Sequence, residues 1–291
     1  MTFPSAGAEL LPLGTLVGGR YQLDRHLGSG SMGSVYAARA LNDGRPLAIK
    51  MIHRAHTEDP TMVARFQREG RLIAKIRHPN IVEVFELDED DGSWFIAMEL
   101  LEGKTLGTAM TDKGVYSLAE AGPMLLGILD ALEVAHAEQI IHRDVKPENV
   151  FLVRRADARQ IKLLDFGVAK PVSQSVQEQL TRSGVVLGTP EYMAPEQAVG
   201  TSADQRSDLY SVGCVAYAMI CGRPPFLDNW PLRVLMKQAF EPHVPPSRLR
   251  PDAPFADTID RFIARALEKE PSERYQSASE MRADLAVLLD A

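Results

Sequence analysis

Three glycines set between two strand-like segments constrain this chain more than any other feature. Gly28, Gly30 and Gly33 stand in Gly28-Ser29-Gly30-Ser31-Met32-Gly33-Ser34-Val35, with the alternating stretch YQLDRHL before them and SVYAARA after them. Without a Cβ, such residues let backbone N–H groups approach an anion closely. In a dinucleotide-binding βαβ unit glycines at this spacing open a helix. Here the residues after Gly33 are β-branched and aromatic, so the pattern predicts a strand–loop–strand hairpin instead. Taken alone, the spacing fits a flexible turn equally well.

The rest of the first hundred residues extends that sheet. A turn at Asn42-Asp43-Gly44 leads into PLAIKMI, and the acidic turn DEDDG separates IVEVFEL from SWFIAMEL. One helix is predicted between them: Asp59-Pro60 supplies a start, and Val63, Phe66, Leu72, Ile73 and Ile76 recur at helical spacing. After Gly103 the stretches AEAGPMLLGILDALEVAHAEQ, LYSVGCVAYAMIC, DTIDRFIARALEKE and ASEMRADLAVLLD read as helices, with short strands in VFLV and IKLLDF. Residues 1–19, rich in Gly, Pro and small side chains, read as a flexible leader, and the proline-rich stretch 242–254 reads as an ordered connector.

Composition narrows the function classes. The 291 residues allow two domains or one domain of two lobes, enough to bury a core without metal or disulfide staples. The net charge of −7 argues against a general nucleic-acid binder. The longest apolar run, Leu209–Cys221, falls short of the roughly 20 residues a membrane span needs. The N-terminus has no basic residue before Arg20, so it makes a poor signal peptide and a cytoplasmic location is expected. Cys214 and Cys221 lie on one helical face with no CxxC or His/Cys cluster, which predicts buried, reduced thiols.

Misplaced charges mark the chemistry. Lys50 sits amid apolar strand residues in Leu47-Ala48-Ile49-Lys50-Met51-Ile52, and Glu69 shares the inward stripe of Phe66 and Ile73 on the following helix. A buried charge is costly unless paired, so a Lys50–Glu69 ion pair aiming the lysine at phosphate is predicted, although snorkelling at a sheet edge explains a single lysine. Downstream come His142-Arg143-Asp144-Val145-Lys146-Pro147-Glu148-Asn149 and Asp165-Phe166-Gly167. Asp and Asn offer oxygen ligands suited to Mg²⁺, and a further Asp can orient and deprotonate a hydroxyl.

With the Ala194-Pro195-Glu196 segment, this ordered set resembles the eukaryotic-type (Hanks-type) Ser/Thr protein kinases, most of all their bacterial members, over about Tyr21 to Leu289. The resemblance implies an α+β, bilobal protein-kinase-like fold. A small antiparallel β-rich N-lobe with one main helix (about 20–99) is joined by a link near 99–103 to a larger, mainly helical C-lobe (about 104–289). It implies an ATP-dependent Ser/Thr protein kinase using Mg²⁺ or Mn²⁺ and acting on protein Ser/Thr hydroxyls, itself included.

Residue by residue, the resemblance puts the loop Gly28 to Val35, with Ser29, Ser31, Met32 and Ser34, over the ATP phosphates. Lys50, held by Glu69, contacts the α- and β-phosphates. Asp165 and Asn149 bind metal, Asp144 accepts the substrate proton, and Lys146 neutralises charge on the transferring group. Adenine lies among Leu27, Val35, Ala48 and Phe151, with Met98 as gatekeeper and backbone contacts from Glu99 and Leu101. Ile73, Val84, His142 and Phe166 form an apolar column anchored by Asp208, and Glu196 pairs with Arg274.

The stretch 168–187 matches the activation loop. Ser173, Ser175, Thr181 and Ser183 are candidate acceptors, Thr181 and Ser183 foremost, and Arg143 receives the phosphate. Thr189 is expected to contact the catalytic loop. A homodimer for autophosphorylation is compatible with this pattern. The competing reading is an ATP-binding pseudokinase or scaffold, whose usual mark is loss of Lys50, Asp144, Asn149 or Asp165; all four are present.

Overall fold

The computed structural model describes residues 10–30, 32–154, 160–166, 189–251 and 256–290. Two compact units divide the chain, Met1–Glu102 and Gly103–Ala291.

Alternation of apolar residues along Pro46–Ile52 sets up the first unit. Leu47, Ile49 and Met51 point to one face and join Val17, Leu23, Tyr36, Phe95 and Ala97 in a buried cluster. Ile52, on the opposite face, packs with Phe66 and Ile96. All of these except Phe66 belong to a six-stranded antiparallel sheet of strands β1 (Leu16–Val17), β2 (Tyr21–Ser29), β3 (Gly33–Ala40), β4 (Pro46–Ile52), β5 (Val84–Asp90) and β6 (Ser93–Met98). Their spatial order is β1-β2-β3-β4-β6-β5.

After the single helical turn α1 (Arg54–Thr57), helix α2 (Pro60–Ile73) starts where Asp59-Pro60 predicts. The Asp59 carboxylate accepts the Thr61 and Met62 N–H groups, and Pro60 loses nothing at a position whose N–H has no helical partner. Phe66, Glu69, Gly70 and Ile73 are its buried residues. A Cβ on Gly70 would stand 3.1 Å from the Ile96 and Leu87 side chains, so this glycine lets the helix lie close on the sheet.

Within the stretch read as a flexible leader, the structure differs. Leu16–Val17 pairs with Tyr21–Gln22, Val17 is buried, and the Leu11 N–H donates to the Tyr36 hydroxyl at 2.9 Å. The glycines that suggested looseness are turn residues: Gly18 and Gly19, at φ 56° and 63°, reverse the chain between β1 and β2.

The second unit begins with β7 (Gly103–Thr105), which joins β8 (Val150–Val153) and β9 (Ile161–Leu163) in a sheet of order β7-β8-β9. Its helices are α3 (Leu106–Lys113), α4 (Leu118–Ala137), α5 (Pro195–Val199), α6 (Gln205–Cys221), α7 (Pro231–Phe240), α8 (Pro246–Leu249), α9 (Ala256–Ala266) and α10 (Ala278–Asp290). Helix α6 is apolar nearly all round and correspondingly buried from Ser207 to Ile220. Burial pushes the Cys214 thiol up to about 12 and that of Cys221 to about 11, and both are free thiols.

Helices α3 and α7 escape the apolar pattern. In α7, Leu232, Met236 and Phe240 are exposed while Val234, Leu235 and the polar Gln238 are buried, so hydrophobicity does not track the inward face. The proline-rich stretch contains the short helix α8, whose first residue is Pro246. Among the described residues, no helix is long and apolar enough to cross a membrane.

Candidate active site

In the first unit, strand register gathers the predicted residues on one face. Val35 lies opposite Lys50 across β3–β4, Ala48 lies opposite Met98 across β4–β6, and Ala48 and Lys50 are two residues apart on β4. Gly28 pairs with Val35 beside a bulge that follows His26, and Leu27 in that bulge is 40% exposed. Lys50 Nζ donates to Glu69 Oε1 at 2.8 Å, with both side chains nearly buried. Each charge thereby offsets the desolvation of the other. The Glu99 N–H donates to the Glu83 carbonyl, and its carboxylate accepts the Glu83 N–H, which ties the end of this unit to the residue before β5. Leu101 follows, half-buried; Ser31 lies outside the described residues.

In the second unit, a buried acid shapes the catalytic loop. Asp208, in the first turn of α6 and fully buried, accepts the His142 N–H at 2.8 Å, the Arg143 N–H at 2.7 Å and His136 Nε2–H at 2.8 Å. Arg143 is consequently held at φ 63°, a left-handed conformation that a non-glycine residue adopts only under constraint. His142 Nε2–H donates to the Leu164 carbonyl and its Nδ1 accepts the Asp144 N–H. Those two bonds define a neutral tautomer. Burial pushes the imidazole below its ordinary value, outweighing the pull of Asp208 and Asp144. His142 thus links the loop bearing Asp144 to the residue preceding Asp165, while its ring lies tilted by 40° against that of Phe166, with centroids 4.5 Å apart.

Around Asp144 the polar groups converge. Lys146 Nζ lies 3.0 Å from Asp144 Oδ2, and Asn149 Nδ2 donates to the Asp144 carbonyl and to Oδ2 at 2.8 and 3.1 Å. The antiparallel pairing of Val150 with Leu163, extended by the Leu164 N–H to Asn149 carbonyl bond, brings Asp165 to the same end of the β8–β9 ladder as Asn149. Asp165 is exposed and takes a φ of 39°. Phe151 follows on β8, half-buried.

The segment after residue 188 is anchored by a second buried pair. Arg274 makes a two-pronged contact with Glu196, 2.9 Å to Oε1 and 2.8 Å to Oε2, and donates its remaining N–H groups to the carbonyls of Glu268, Lys269 and Arg206. Ser207 Oγ also donates to Glu196. Burial opposes ionisation of Glu196, but these donors outweigh it and hold the carboxyl below its ordinary value. Thr189 lines a small hollow together with Arg143, Asp144, Val145, Tyr192, Met193 and Ser211.

Two contributors were not singled out from the sequence. Gln197 donates to the Arg143 carbonyl and accepts the Ala194 N–H, and His136 contacts Asp208. His136 carries a signal in retrospect, as a polar residue on the inward side of an apolar helix; Gln197 carries none. Thr181, Ser183, Ser173, Ser175 and Gly167 lie outside the described residues.

A model of the protein kinase domain matches residues 21–285. The chain belongs to the protein kinase family. This kinase domain is 39% identical over 279 residues to a probable serine/threonine-protein kinase PknB of Corynebacterium glutamicum, covering 94% of the chain and 43% of the relative. It is 40% identical to the serine/threonine-protein kinase Pkn1 of Myxococcus xanthus, covering 93% and 38%. The chain therefore spans less than half the length of these curated relatives. Among solved structures, the PknI kinase domain of Mycobacterium tuberculosis shares 30% identity at a TM-score of 0.75, covering 96% of this chain and 99% of that one.

Family membership implies use of ATP with a divalent cation, and the donor chemistry fits. Asn149 and Asp165 offer oxygen ligands, and because Asn149 turns Nδ2 toward Asp144, its Oδ1 is the ligating end. Two protein oxygens suit a hard cation that takes its other ligands from phosphates and water.

Proposed function

We propose that this chain is an ATP-dependent Ser/Thr protein kinase that transfers the γ-phosphoryl group to Ser/Thr hydroxyls of proteins and of its own loop at Thr181 and Ser183. The observation that carries this reading is the convergence of Lys146 and Asn149 on Asp144, in a loop whose backbone is held by Asp208. Asp144 orients the acceptor hydroxyl and takes its proton. Lys146 balances charge that develops on the transferring group. Lys50, kept extended by Glu69, binds the α- and β-phosphates. Gly28, Gly30 and Gly33 let backbone N–H groups cover them, and Val35, Ala48, Met98, Leu101, Leu27 and Phe151 contact the adenine. Mg²⁺, held by Asn149 and Asp165, neutralises phosphate charge when bound; Mn²⁺ suits the same oxygen donors.

The names of the relatives support the Ser/Thr assignment, as does Lys146, two residues after the acid. Incubation with γ-labelled ATP and Mg²⁺, with Asp144→Asn as control, tests the reading. Label on the wild-type chain and on an added protein acceptor, lost in the variant, is expected. Undiminished label on Asp144→Asn overturns it. Peptide mapping of the labelled chain locates the acceptors, and label absent from 181–183 removes the autophosphorylation assignment.

A further inference from the structure

The glycine-rich loop is tied down by more than its two strands. The Gly30 N–H donates to the Gly33 carbonyl at 2.9 Å, closing the hairpin tip. The His53 N–H donates to the Met32 carbonyl at 3.0 Å, and the His53 ring reaches the Gly30 carbonyl at 2.8 Å through Nε2. A carbonyl only accepts, so Nε2 bears the hydrogen in this contact. Met32 packs its side chain against the cluster of Ile52, Phe66 and Ile96. At the other flank, His26 Nε2 contacts Ser29 Oγ at 3.0 Å, and Ser29 Oγ contacts Ser34 Oγ at 2.8 Å.

A loop with three glycines in six residues has much backbone freedom to lose when it orders around a ligand. Contacts that remove that freedom beforehand strengthen binding without touching the ligand. His53 is well placed for this. It directly follows β4, the strand that carries Lys50, and its two hydrogen bonds fall on either side of Ser31. Within the loop it touches backbone only; beyond the loop its ring lies 6.1 Å from that of His56, centroid to centroid, and its carbonyl accepts the His56 N–H.

We propose that His53 is a positioning residue of the nucleotide site, clasping the tip of the glycine-rich loop in its phosphate-binding shape. The inference rests on the reading of that loop as the cover of the ATP phosphates. The backbone bond to Met32 survives any substitution at 53 that keeps the N–H, as Ala, Gln and Leu do, whereas the ring bond to Gly30 is lost with the imidazole. Because an Nε2–H donor makes the contact, a neutral side chain with a donor near the same place replaces it.

The test compares wild type, His53→Ala and His53→Gln by calorimetric titration with a non-hydrolysable ATP analogue and by steady-state kinetics. Loss of one such hydrogen bond weakens nucleotide binding by about three- to tenfold. His53→Ala is expected to raise the analogue Kd and the KM for ATP by that factor. Its kcat should stay within about twofold, its KM for the protein acceptor should be unchanged, and His53→Gln should restore most of the loss. His53→Leu, which keeps bulk without a donor, takes the place of His53→Ala if the latter has a lowered Tm. Unchanged or tighter nucleotide binding in the donor-less variant overturns the inference, and so does an equal loss in His53→Gln. A wild-type chain that binds no nucleotide overturns the role of the loop itself, which separates that failure from the failure of the clasp.

Discussion

Lys50 and Glu69 show how much one pair of side chains can decide. Both are nearly buried, and each offsets the desolvation of the other. Glu69→Gln removes the carboxylate that Lys50 Nζ contacts at 2.8 Å and is expected to cost about 3–5 kcal/mol in urea unfolding. The double variant Lys50→Met/Glu69→Leu should regain most of that stability while transferring no phosphate. Stability and activity would then part company in one pair. Asp144→Asn has the opposite profile: retained stability with a kcat reduced about 10²- to 10⁴-fold in the labelled-ATP assay. The pairing of Lys50 with Glu69 was legible in the sequence because a cation and an anion each broke an apolar pattern. The neutral tautomer of His142 was not, because it depends on Leu164 and Asp144 approaching from two directions.

At the scale of the element, the three glycines of the loop are not equivalent. A Cβ on Gly33 would stand 2.1 Å from the Met51 carbonyl oxygen, where β3 meets β4, whereas one on Gly28 meets nothing within 4 Å. Gly33→Ala must therefore push apart the strands that carry Val35 and Lys50, at a cost of about 1–3 kcal/mol. Gly28→Ala should leave Tm close to wild type. Thermal unfolding of the two variants checks the contrast, and equal Tm values would refute the account of Gly33. The motif spacing treats these glycines alike; only the strand register separates them. The same limit explains α7, whose exposed Leu232, Met236 and Phe240 obscure its periodicity, and β1, whose turn glycines read as looseness. By contrast, Asp59-Pro60 marked the start of α2 because the cap is local to the chain.

Over the whole molecule, the Glu196–Arg274 pair joins residues 78 apart in sequence. It fastens the segment that ends in α5 to the loop before α10. The folded Glu196 carboxyl titrates below its unfolded value of about 4.5, so its contribution is complete above that pH. That contribution is lost as pH falls from about 4.5 through the depressed native value. A Tm series from pH 7 to pH 3 should show this loss, and Glu196→Gln should begin from a lower Tm with a shallower acid limb. An unchanged acid limb would deny the pair its role.

Chemistry that is local or periodic could be read from the chain directly. The glycine hairpin, the helix start at Asp59, the paired misfits Lys50 and Glu69, and the cluster from His142 to Asn149 all announce themselves through neighbours in sequence or through a broken apolar pattern. Contacts between distant segments needed the folded chain. Asp208 bending Arg143 into a left-handed conformation, Gln197 holding the same residue's carbonyl and His53 reaching back to Gly30 arise where elements close in sequence or far apart are brought together by packing. Hydrogen bonds of that kind depend on position to within a fraction of an ångström, and spacing along a chain carries no such information.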